Sequence, residues 1–308
     1  MAYVSSHSSC NYSHVDPWAL LGEDQMGIVI LKSIHTISET DRPIAVMSIN
    51  PMQVSSVHLK QFHRQGFFFI PRPFDQVQLE NIDRLQVDNH ERWRTTDWPS
   101  GLNRLACQFL MLGEPLLELV EKPEIVAMAQ QILESDQVHV NACGIGESIS
   151  NRPQPQVPWH CDGANCRQVS FRTALDRHDQ PNAPLRFLPG SDCRSHEEVQ
   201  LELTQFELAT GRHDKAPAPK QLYAKHPDEL EVILDPRWTL VWSPSCWHAT
   251  GVKTSVGPRR AIGWNYSPDR EPRYTDQKHN KIVRAVKHVF NDQWHHWTQE
   301  RKKLWRVG

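Results

Sequence analysis

The sequence predicts an α+β protein whose β core is of the jelly-roll type. Helical patterns occupy the chain from residue 47 to about residue 133. Short strand-like runs separated by turn clusters follow from residue 137, and a last helical pattern begins at Lys281. Many short strands in succession are typical of a barrel or a double-sheet roll, whereas βαβ repeats would place a helix after each strand.

Composition limits the classes of protein to consider. The 308 residues, 39% of them hydrophobic, are enough for one large domain with extensions or for two small ones. Basic and acidic residues number 34 and 36, and there is no basic stripe, so we expect no nucleic-acid partner. No apolar run reaches about 18 residues, which predicts that the chain does not span a membrane.

The first 46 residues differ from the rest. The stretch SSHSSCNYS is polar and turn-rich, and the opening MAYVSSHSSC lacks the pattern of a secretory signal. We expect residues 1–46 to form a partly ordered N-terminal extension and residues 47–308 to form a single domain. The seven cysteines are scattered and odd in number, so we expect free thiols and a reducing, cytoplasmic location.

The domain is predicted to open with a helix and a strand. Ser55 or Ser56 is the N-cap candidate of the helix, and Gly66 is expected to end it. FFFIP, at residues 67–71, then has the composition of a buried strand ended by proline.

Two further helical regions precede the strands. One is expected over about residues 75–89. The other, LLELVEKPEIVAMAQQIL at residues 116–133, is expected to contain two helical pieces divided at Pro123.

The strand region begins with QVHVNACGI, in which Val138 and Val140 share one face of an extended chain. Further strands are predicted at VPWHCDG, QVSFRTAL, APLRFLPGS, EVIL, TLVWSPS and RAIGWNYS. From Lys281 to Leu304, apolar residues recur at a period of about 3.6, which predicts a helix packed on the outside of the sheet.

The stretch WHCDG, at residues 159–163, contains candidate metal ligands. Because side chains alternate along a strand, His160 and Asp162 are expected on one face and Cys161 on the other. An imidazole and a carboxylate on one face can take two neighbouring positions on a metal. The ordinary alternative is a turn in which Asp162 caps the loop at Gly163, so a third ligand is needed to favour a metal site.

His248 is the best candidate for that third ligand. It lies 88 residues after His160, at the end of the strand-like run LVWSPSCWHATG. Two histidines and one carboxylate, with half of the coordination sphere open, form the facial triad of non-haem Fe(II) oxygenases. Zinc could use the same ligands, but a closed structural zinc site would need a fourth. A site built from the cysteines (Cys161, Cys166, Cys193, Cys246) is disfavoured, because their spacings match no zinc-finger pattern.

An Fe(II) triad of this kind needs an electron-rich co-substrate to activate O2, and a dicarboxylate such as 2-oxoglutarate can chelate the metal through one end. Its far carboxylate then needs a buried cation, for which arginine is best suited. Arg259 and Arg260 lie 11 and 12 residues after His248, and strand alternation does not decide between them. Thr250 shares a face with His248 and can donate its hydroxyl to the same carboxylate.

Several motifs, taken together and in order, resemble a known family. They are FHRQGFFFIP, KPEIVAMAQQILESDQVHV, HCD at 160–162, NAPLRFLPGS at 182–191, and HAT at 248–250 with an arginine 11 residues on. This order is similar to that of the phytanoyl-CoA dioxygenase (PhyH-like) family of Fe(II)- and 2-oxoglutarate-dependent oxygenases. The resemblance covers about residues 55–267, and it implies a double-stranded β-helix flanked by N-terminal and C-terminal helices.

The resemblance also implies roles for single residues. It makes His160, Asp162 and His248 the iron ligands and Arg259, at the family's spacing, the partner of 2-oxoglutarate. Thr250 stands where the family has a small hydroxyl residue. The implied activity hydroxylates, desaturates or cyclises a small organic molecule, with natural-product biosynthesis as the first expectation, and it consumes O2 and releases succinate and CO2.

Further points concern the reaction and the substrate. Related halogenases replace the carboxylate ligand with a small residue, so the presence of Asp162 disfavours halogenation. Cys161 departs from relatives that have a larger polar residue there, which bears on the lining of the pocket. Arg172 and Arg186 could meet a substrate carboxylate or form surface ion pairs.

Two other functions stay open at this point. A mononuclear metal cupin that does not use 2-oxoglutarate would give Arg259 no role. A catalytically silent jelly-roll protein would serve binding or dimerisation, and a homodimer is left open in any case.

Overall fold

The structure is a computed structural model. It describes residues 54–99, 102–148, 157–164, 166–210, 221–269 and 280–308. The predicted extension at residues 1–46 lies outside the described residues. Within them the chain is an α+β protein built from helices and two antiparallel sheets, as the sequence predicted.

The helices lie mainly before and after the strands. Their bounds are α1 Ser56–Gln65, α2 Gln76–Thr95, α3 Arg104–Met111, α4 Glu114–Glu121, α5 Pro123–Leu133, α6 His196–Ala209, α7 Lys281–Phe290 and α8 Gln299–Trp305. The first helix begins and ends as predicted, because Ser55 caps it in a capping box with His58 and Gly66 ends it in the left-handed conformation. The predicted break at Pro123 is confirmed, since Pro123 opens α5.

The strands form a five-stranded sheet and a three-stranded sheet. Their bounds are β1 Phe67–Pro71, β2 Val138–Ser148, β3 Val169–Ala174, β4 Leu185–Phe187, β5 Leu230–Val232, β6 Trp238–Trp242, β7 His248–Thr250 and β8 Arg259–Pro268. The larger sheet has the order β1-β6-β3-β8-β2 and the smaller one the order β5-β4-β7. All neighbouring strands are antiparallel.

The larger sheet is covered on both faces. Its outer face packs against the helices through alternate residues such as Phe68, Val241 and Ile262. Its inner face meets the smaller sheet in a second apolar cluster, in which the rings of Phe67 and Phe187 are 4.7 Å apart. We call the region between these two facing sheets the inter-sheet space.

The structure corrects the predicted strand at VPWHCDG. Only His160 pairs there, in an isolated bridge with His248. The run from Leu240 to Thr250 is likewise not one strand. The chain leaves the larger sheet at Trp242 and joins the smaller one at His248.

The helices near the C-terminus also differ from the prediction. The predicted final helix is interrupted, because Asn291 has a positive φ of 47° and a 3-10 turn follows it, before Thr298 caps α8. Helices α3 and α6 were not predicted, and α2 continues six residues beyond the expected Asn89. None of the described helices is long and apolar enough to cross a membrane.

Candidate metal centre

His160 and His248 are brought together by the backbone. Each donates its N–H to the carbonyl of the other, at 3.0 and 2.9 Å, although they lie 88 residues apart in the sequence. The bridge places the two imidazole rings side by side, with centroids 4.3 Å apart. The short strand β7 and the segment after Trp159 therefore hold one histidine each at the open edge of the smaller sheet.

Asp162 completes a cluster of three. Its N–H donates to Pro244 O at 2.9 Å, which ties it to the loop that leads into β7. Its carboxylate oxygens lie 3.6 Å from His160 Nε2 and 3.8 Å from His248 Nε2. One ligand atom from each residue lies within 4.8 Å of the others, and in the described part of the chain this is the one such group of three metal-binding side chains.

The second nitrogen of each ring fixes its orientation. His160 Nδ1 is 2.8 Å from Pro158 O, and His248 Nδ1 is 2.9 Å from Cys246 O. A carbonyl oxygen accepts, so each Nδ1 carries a proton and each Nε2 is the nitrogen that faces Asp162 and could bind a metal. Histidines that bind metals commonly use this arrangement, with the far nitrogen held by a backbone carbonyl.

Charge in the cluster also suits a cation. Burial raises the pKa of Asp162, but the interaction with His160 and the charges of His248 and Arg172 outweigh it and lower that pKa to about 2. Burial lowers the pKa of His248 to about 4. At neutral pH the cluster therefore offers an ionised carboxylate and a neutral imidazole, which are the forms that bind metal ions.

Apolar rings enclose His248 on the side away from solvent. Phe187 stacks on it at 5.6 Å and Trp242 meets it edge-on at 6.3 Å. Asp162 is by contrast 48% exposed. The cluster therefore has one dry wall and one open side.

The structure distinguishes Arg259 from Arg260. The side chain of Arg260 points to the outer face, where it makes a two-pronged ion pair with Asp176 and a further one with Asp83 at 2.6 Å. Arg259 is 6% exposed and donates from Nε to Ala183 O at 2.7 Å, while its buried Nη2 has no hydrogen-bond partner among the described residues. Burial, and then the charge of Arg172, lower the pKa of Arg259 to about 9.

Thr250 lies two residues after His248 on β7, on the same face and buried. Its Oγ1 accepts from Val157 N–H at 3.0 Å, which leaves the hydroxyl proton free to be donated.

Two more polar side chains lie near Arg259. Arg172 is half-buried on the inner face of β3, and its Nε is buried without a partner among the described residues. Burial lowers the pKa of Arg172, and the charge of Asp162 partly opposes this shift. His178 follows β3. Burial and the charges of Arg259 and Arg172 hold its pKa well below the usual range. His178 was not predicted from the sequence, because RHDQPN has the composition of an ordinary polar turn.

The cysteines that the structure describes do not take part in the cluster. Cys161 Sγ points away from the ligands and lies 3.4 Å from His196 Nδ1. Cys166 donates to Gly163 O, and Cys246 is buried against Leu188 O. Cys161 therefore points away from the face of His160 and Asp162, as predicted, although the prediction assumed a regular strand that the structure does not have at this segment.

Arg186 forms its ion pair in the interior of the protein and not on the surface. It forms a buried ion pair with Glu229 at 2.5 Å, and its guanidinium lies 4.8 Å over the ring of Trp159. Trp159 directly precedes His160, so the pair supports the segment that carries the first histidine.

Comparison with known proteins identifies the family. The family model described as phytanoyl-CoA dioxygenase (PhyH) matches residues 62–261, which include the whole cluster. The chain belongs to the phytanoyl-CoA dioxygenase family. The resemblance seen in the sequence motifs is thus confirmed. The comparison with curated proteins found no match.

Several solved structures have a similar fold. AviO1 from Streptomyces viridochromogenes Tue57 is 16% identical, with a TM-score of 0.53 over 70% of this chain and 96% of that one. SnoK, a non-haem α-ketoglutarate-dependent carbocyclase from nogalamycin biosynthesis, is 19% identical, with a TM-score of 0.52 over 70% and 84%. HygX from Streptomyces hygroscopicus, solved with nickel and 2-oxoglutarate, is 14% identical, with a TM-score of 0.51 over 71% and 88%.

Proposed function

We propose that this protein is an Fe(II)- and 2-oxoglutarate-dependent dioxygenase. It would oxidise a small organic molecule, by hydroxylation, desaturation or ring formation, and release succinate and CO2. One observation carries the proposal. His248 of the triad meets Trp242 on the inner face of the larger sheet, and Arg259 lies on the same face with a buried guanidinium donor that has no partner among the described residues.

The residues present fit a divalent metal. In both histidines Nδ1 is hydrogen-bonded to a backbone carbonyl, so Nε2 is the nitrogen that would bind the metal. Two neutral imidazoles and one carboxylate are the ligand set that non-haem Fe(II) oxygenases use, with positions left open for other ligands. HygX, of similar fold, was solved with nickel and 2-oxoglutarate, which supports the same assignment here.

The residues also fit a dicarboxylate. A guanidinium buried without an anion is costly, and a carboxylate that accepts from Nη2 would relieve the cost. Arg259 is tethered through Nε to Ala183 O, so its orientation is fixed before any ligand binds. Thr250 can donate a second hydrogen bond to the same carboxylate.

In the proposed reaction, Fe(II) and 2-oxoglutarate together supply the activation of O2. The protein's own side chains bind and orient. Arg259 and Thr250 hold the far carboxylate, while Phe187 and Trp242 keep water from the buried side of His248. Asp162 fills a ligand position, which disfavours halogenation and favours hydroxylation-type products.

The proposal also covers the type of β fold, the bounds of the domain and the location of the protein. The two facing sheets would be the halves of a double-stranded β-helix, and residues 47–308 would be one catalytic domain. Six described cysteines are free thiols, which fits a reducing, cytoplasmic location.

SnoK acts in nogalamycin biosynthesis. We propose a role in natural-product biosynthesis for this protein too, with a small-molecule substrate and no nucleic-acid partner. A homodimer is left open.

The proposal is tested by anaerobic titration of the protein with Fe(II) and then 2-oxoglutarate. We expect an absorption band from the metal–2-oxoglutarate complex, and we expect His248→Ala to abolish it. The control variant is His296→Ala, which removes an exposed histidine outside the cluster. The absence of a band in the wild type, under conditions where Fe(II) is bound, would reject 2-oxoglutarate as co-substrate.

The other candidates give different results. A metal cupin that does not use 2-oxoglutarate would bind Fe(II) without the band and would keep its turnover in Arg259→Met. A silent jelly-roll protein would take up no Fe(II) and would release no succinate when metabolite extracts are added.

A further inference from the structure

The proposed function gives Arg259 a partner, but a second arginine, whose Nε is buried, has none among the described residues. Arg172 lies on β3, on the same face as Ser170 and Ala174, so its side chain enters the inter-sheet space. The following inference rests on the proposed function and concerns what Arg172 binds.

The inner face is shaped to hold this guanidinium. Arg172 pairs with Gly263 of β8, and beyond β8 lies Gly146 of β2, opposite Ala261. A Cβ placed on Gly146 would be only 2.9 Å from Arg172 Nη2. The side chain therefore lies across β8 over small residues, and its guanidinium ends beside β2.

Other buried polar atoms on the same inner face also have no partner among the described residues. Arg172 Nε is buried and unpaired among the described residues, as are Trp242 Nε1 and Asn265 Oδ1. Trp242, Ser170 and Asn265 form one cross-strand row, two residues along each strand from the row of Arg172. Buried polar atoms are nearly always hydrogen-bonded, so several orphans on one face indicate a site for a polar ligand.

The sum of the charges around Arg172 indicates which kind of ligand it would bind. Fe(II), Asp162, Arg259 and the 2-oxoglutarate dianion together carry no net charge. Arg172 adds one positive charge, because a guanidinium stays protonated. Of the carboxylates in the described part of the chain, Asp162 is the one that favours the charged form of Arg172, and it is already a proposed metal ligand. A buried excess charge is unfavourable unless an anion accompanies it.

We propose that Arg172 is a second carboxylate-binding residue and that the primary substrate supplies the carboxylate. The substrate would thus be a small molecule with one acidic group, held by a two-pronged contact to Arg172 while the carbon to be oxidised faces the metal. The other source of a carboxylate at this point is the metal-binding end of 2-oxoglutarate, and the two sources are separable by experiment.

The test uses the protein loaded with Fe(II) and saturating 2-oxoglutarate under anaerobic conditions. The probes are acetate, propionate and benzoate, each compared with its primary amide. Binding is followed by the change in the metal–2-oxoglutarate band and by the thermal unfolding midpoint. We expect at least one acid to bind at least tenfold more tightly than its amide, and Arg172→Met to remove that preference.

Three further variants make the test specific. Gly146→Ala, which displaces the guanidinium without removing it, should weaken acid binding severalfold even if Arg172→Met folds poorly. Arg177→Met, which removes an exposed arginine paired with Asp179 and Asp235, should leave acid binding unchanged. Arg172→Lys should keep part of the preference, because it keeps the charge.

Each other outcome overturns the inference. If no acid binds preferentially to the wild type, or if Arg172→Met retains the preference, Arg172 is not a carboxylate site for the substrate. If Arg172→Met instead weakens both 2-oxoglutarate and 2-oxobutyrate tenfold, the carboxylate is that of the co-substrate, because 2-oxobutyrate lacks the far carboxylate. A failure of the proposed function would appear differently, as the absence of the band before any acid is added.

Discussion

Arg259 and Arg260 are adjacent in the sequence, but their guanidinium groups lie on opposite faces of β8. Arg259 points inward and donates to Ala183 O, and its buried Nη2 has no partner within the described parts of the chain. Arg260 points outward and is fully engaged with Asp176 and Asp83. Alternation along the strand thus gives one arginine free for a ligand and one that holds the fold together.

Replacement of each arginine by methionine should affect a different property of the protein. Arg259→Met is expected to weaken 2-oxoglutarate binding by about tenfold to a hundredfold, as the loss of a charged hydrogen-bond donor implies. Arg260→Met should leave that affinity within about threefold but lower the free energy of unfolding by about 2 kcal/mol, because two carboxylates lose their partner. Anaerobic titration and urea unfolding measure the two effects. Equal weakening of 2-oxoglutarate by both variants would contradict the assignment.

The sequence could not decide between these arginines for a physical reason. Buried residues lie on both faces of β8, Arg259 and Ala261 on the inner face and Ile262 and Trp264 on the outer one. Hydrophobic alternation therefore carries little information. The choice depends on which acidic side chains other strands and helices bring near, which is a long-range property.

Local signals were sufficient where a single residue type controls the backbone. Ser55, Gly66 and Pro123 place the ends of α1 and the break before α5 where the sequence predicted them. The pairing of His160 with His248 is different, because it joins residues far apart in the chain, and the sequence suggested it only through ligand chemistry. Helix α6 was missed for another reason. Its first apolar residues recur at every second position, which is the spacing of a strand, and its cap at Ser195 stands inside a polar run.

Gly66 is expected to be needed for stability. It has φ +85°, and an added Cβ would lie 2.7 Å from Cys246 Sγ. Gly66→Ala should therefore lower the free energy of unfolding by about 2 kcal/mol or more, from left-handed strain together with displacement of Cys246. Gly257→Ala is the matched control, since nothing lies within 4 Å of its added Cβ, and it should change stability by less than about 0.5 kcal/mol. Similar unfolding midpoints for the two variants in urea would show that the contact at Gly66 relaxes freely.

The buried pair of Arg186 and Glu229 should behave as one unit. Arg186→Met leaves the carboxylate of Glu229 buried without its guanidinium, and we expect a loss of about 3–5 kcal/mol in the free energy of unfolding. The double variant Arg186→Met with Glu229→Met should lose clearly less than the sum of the single losses, because no charge is left unpaired. A double-mutant cycle in urea measures the coupling. Strict additivity would mean that the two side chains stabilise the fold independently.

His139 should make the fold less stable in mild acid. It is fully buried on β2, neither ring nitrogen has a hydrogen-bond partner among the described residues, and Nδ1 lies 3.4 Å from Asp269. Burial, and then the charge of Arg306, lower the pKa of His139 to about 4, below the ordinary value of 6.5. Between these two values the unfolded chain binds a proton that the folded chain does not, so stability is present above pH 6.5 and is lost as the pH falls.

The loss expected from His139 alone is about 2 kcal/mol at pH 5 relative to pH 7.5. His139→Gln should remove that part of the pH dependence, whereas His296→Gln, at an exposed position, should leave it unchanged. Urea unfolding of chelator-treated protein from pH 5 to pH 7.5 makes the comparison, because the triad then titrates equally in all three proteins. A wild-type pH dependence retained in His139→Gln would assign the acid sensitivity to other groups, and the buried imidazole of His139 would then have to accept its proton without cost to the fold.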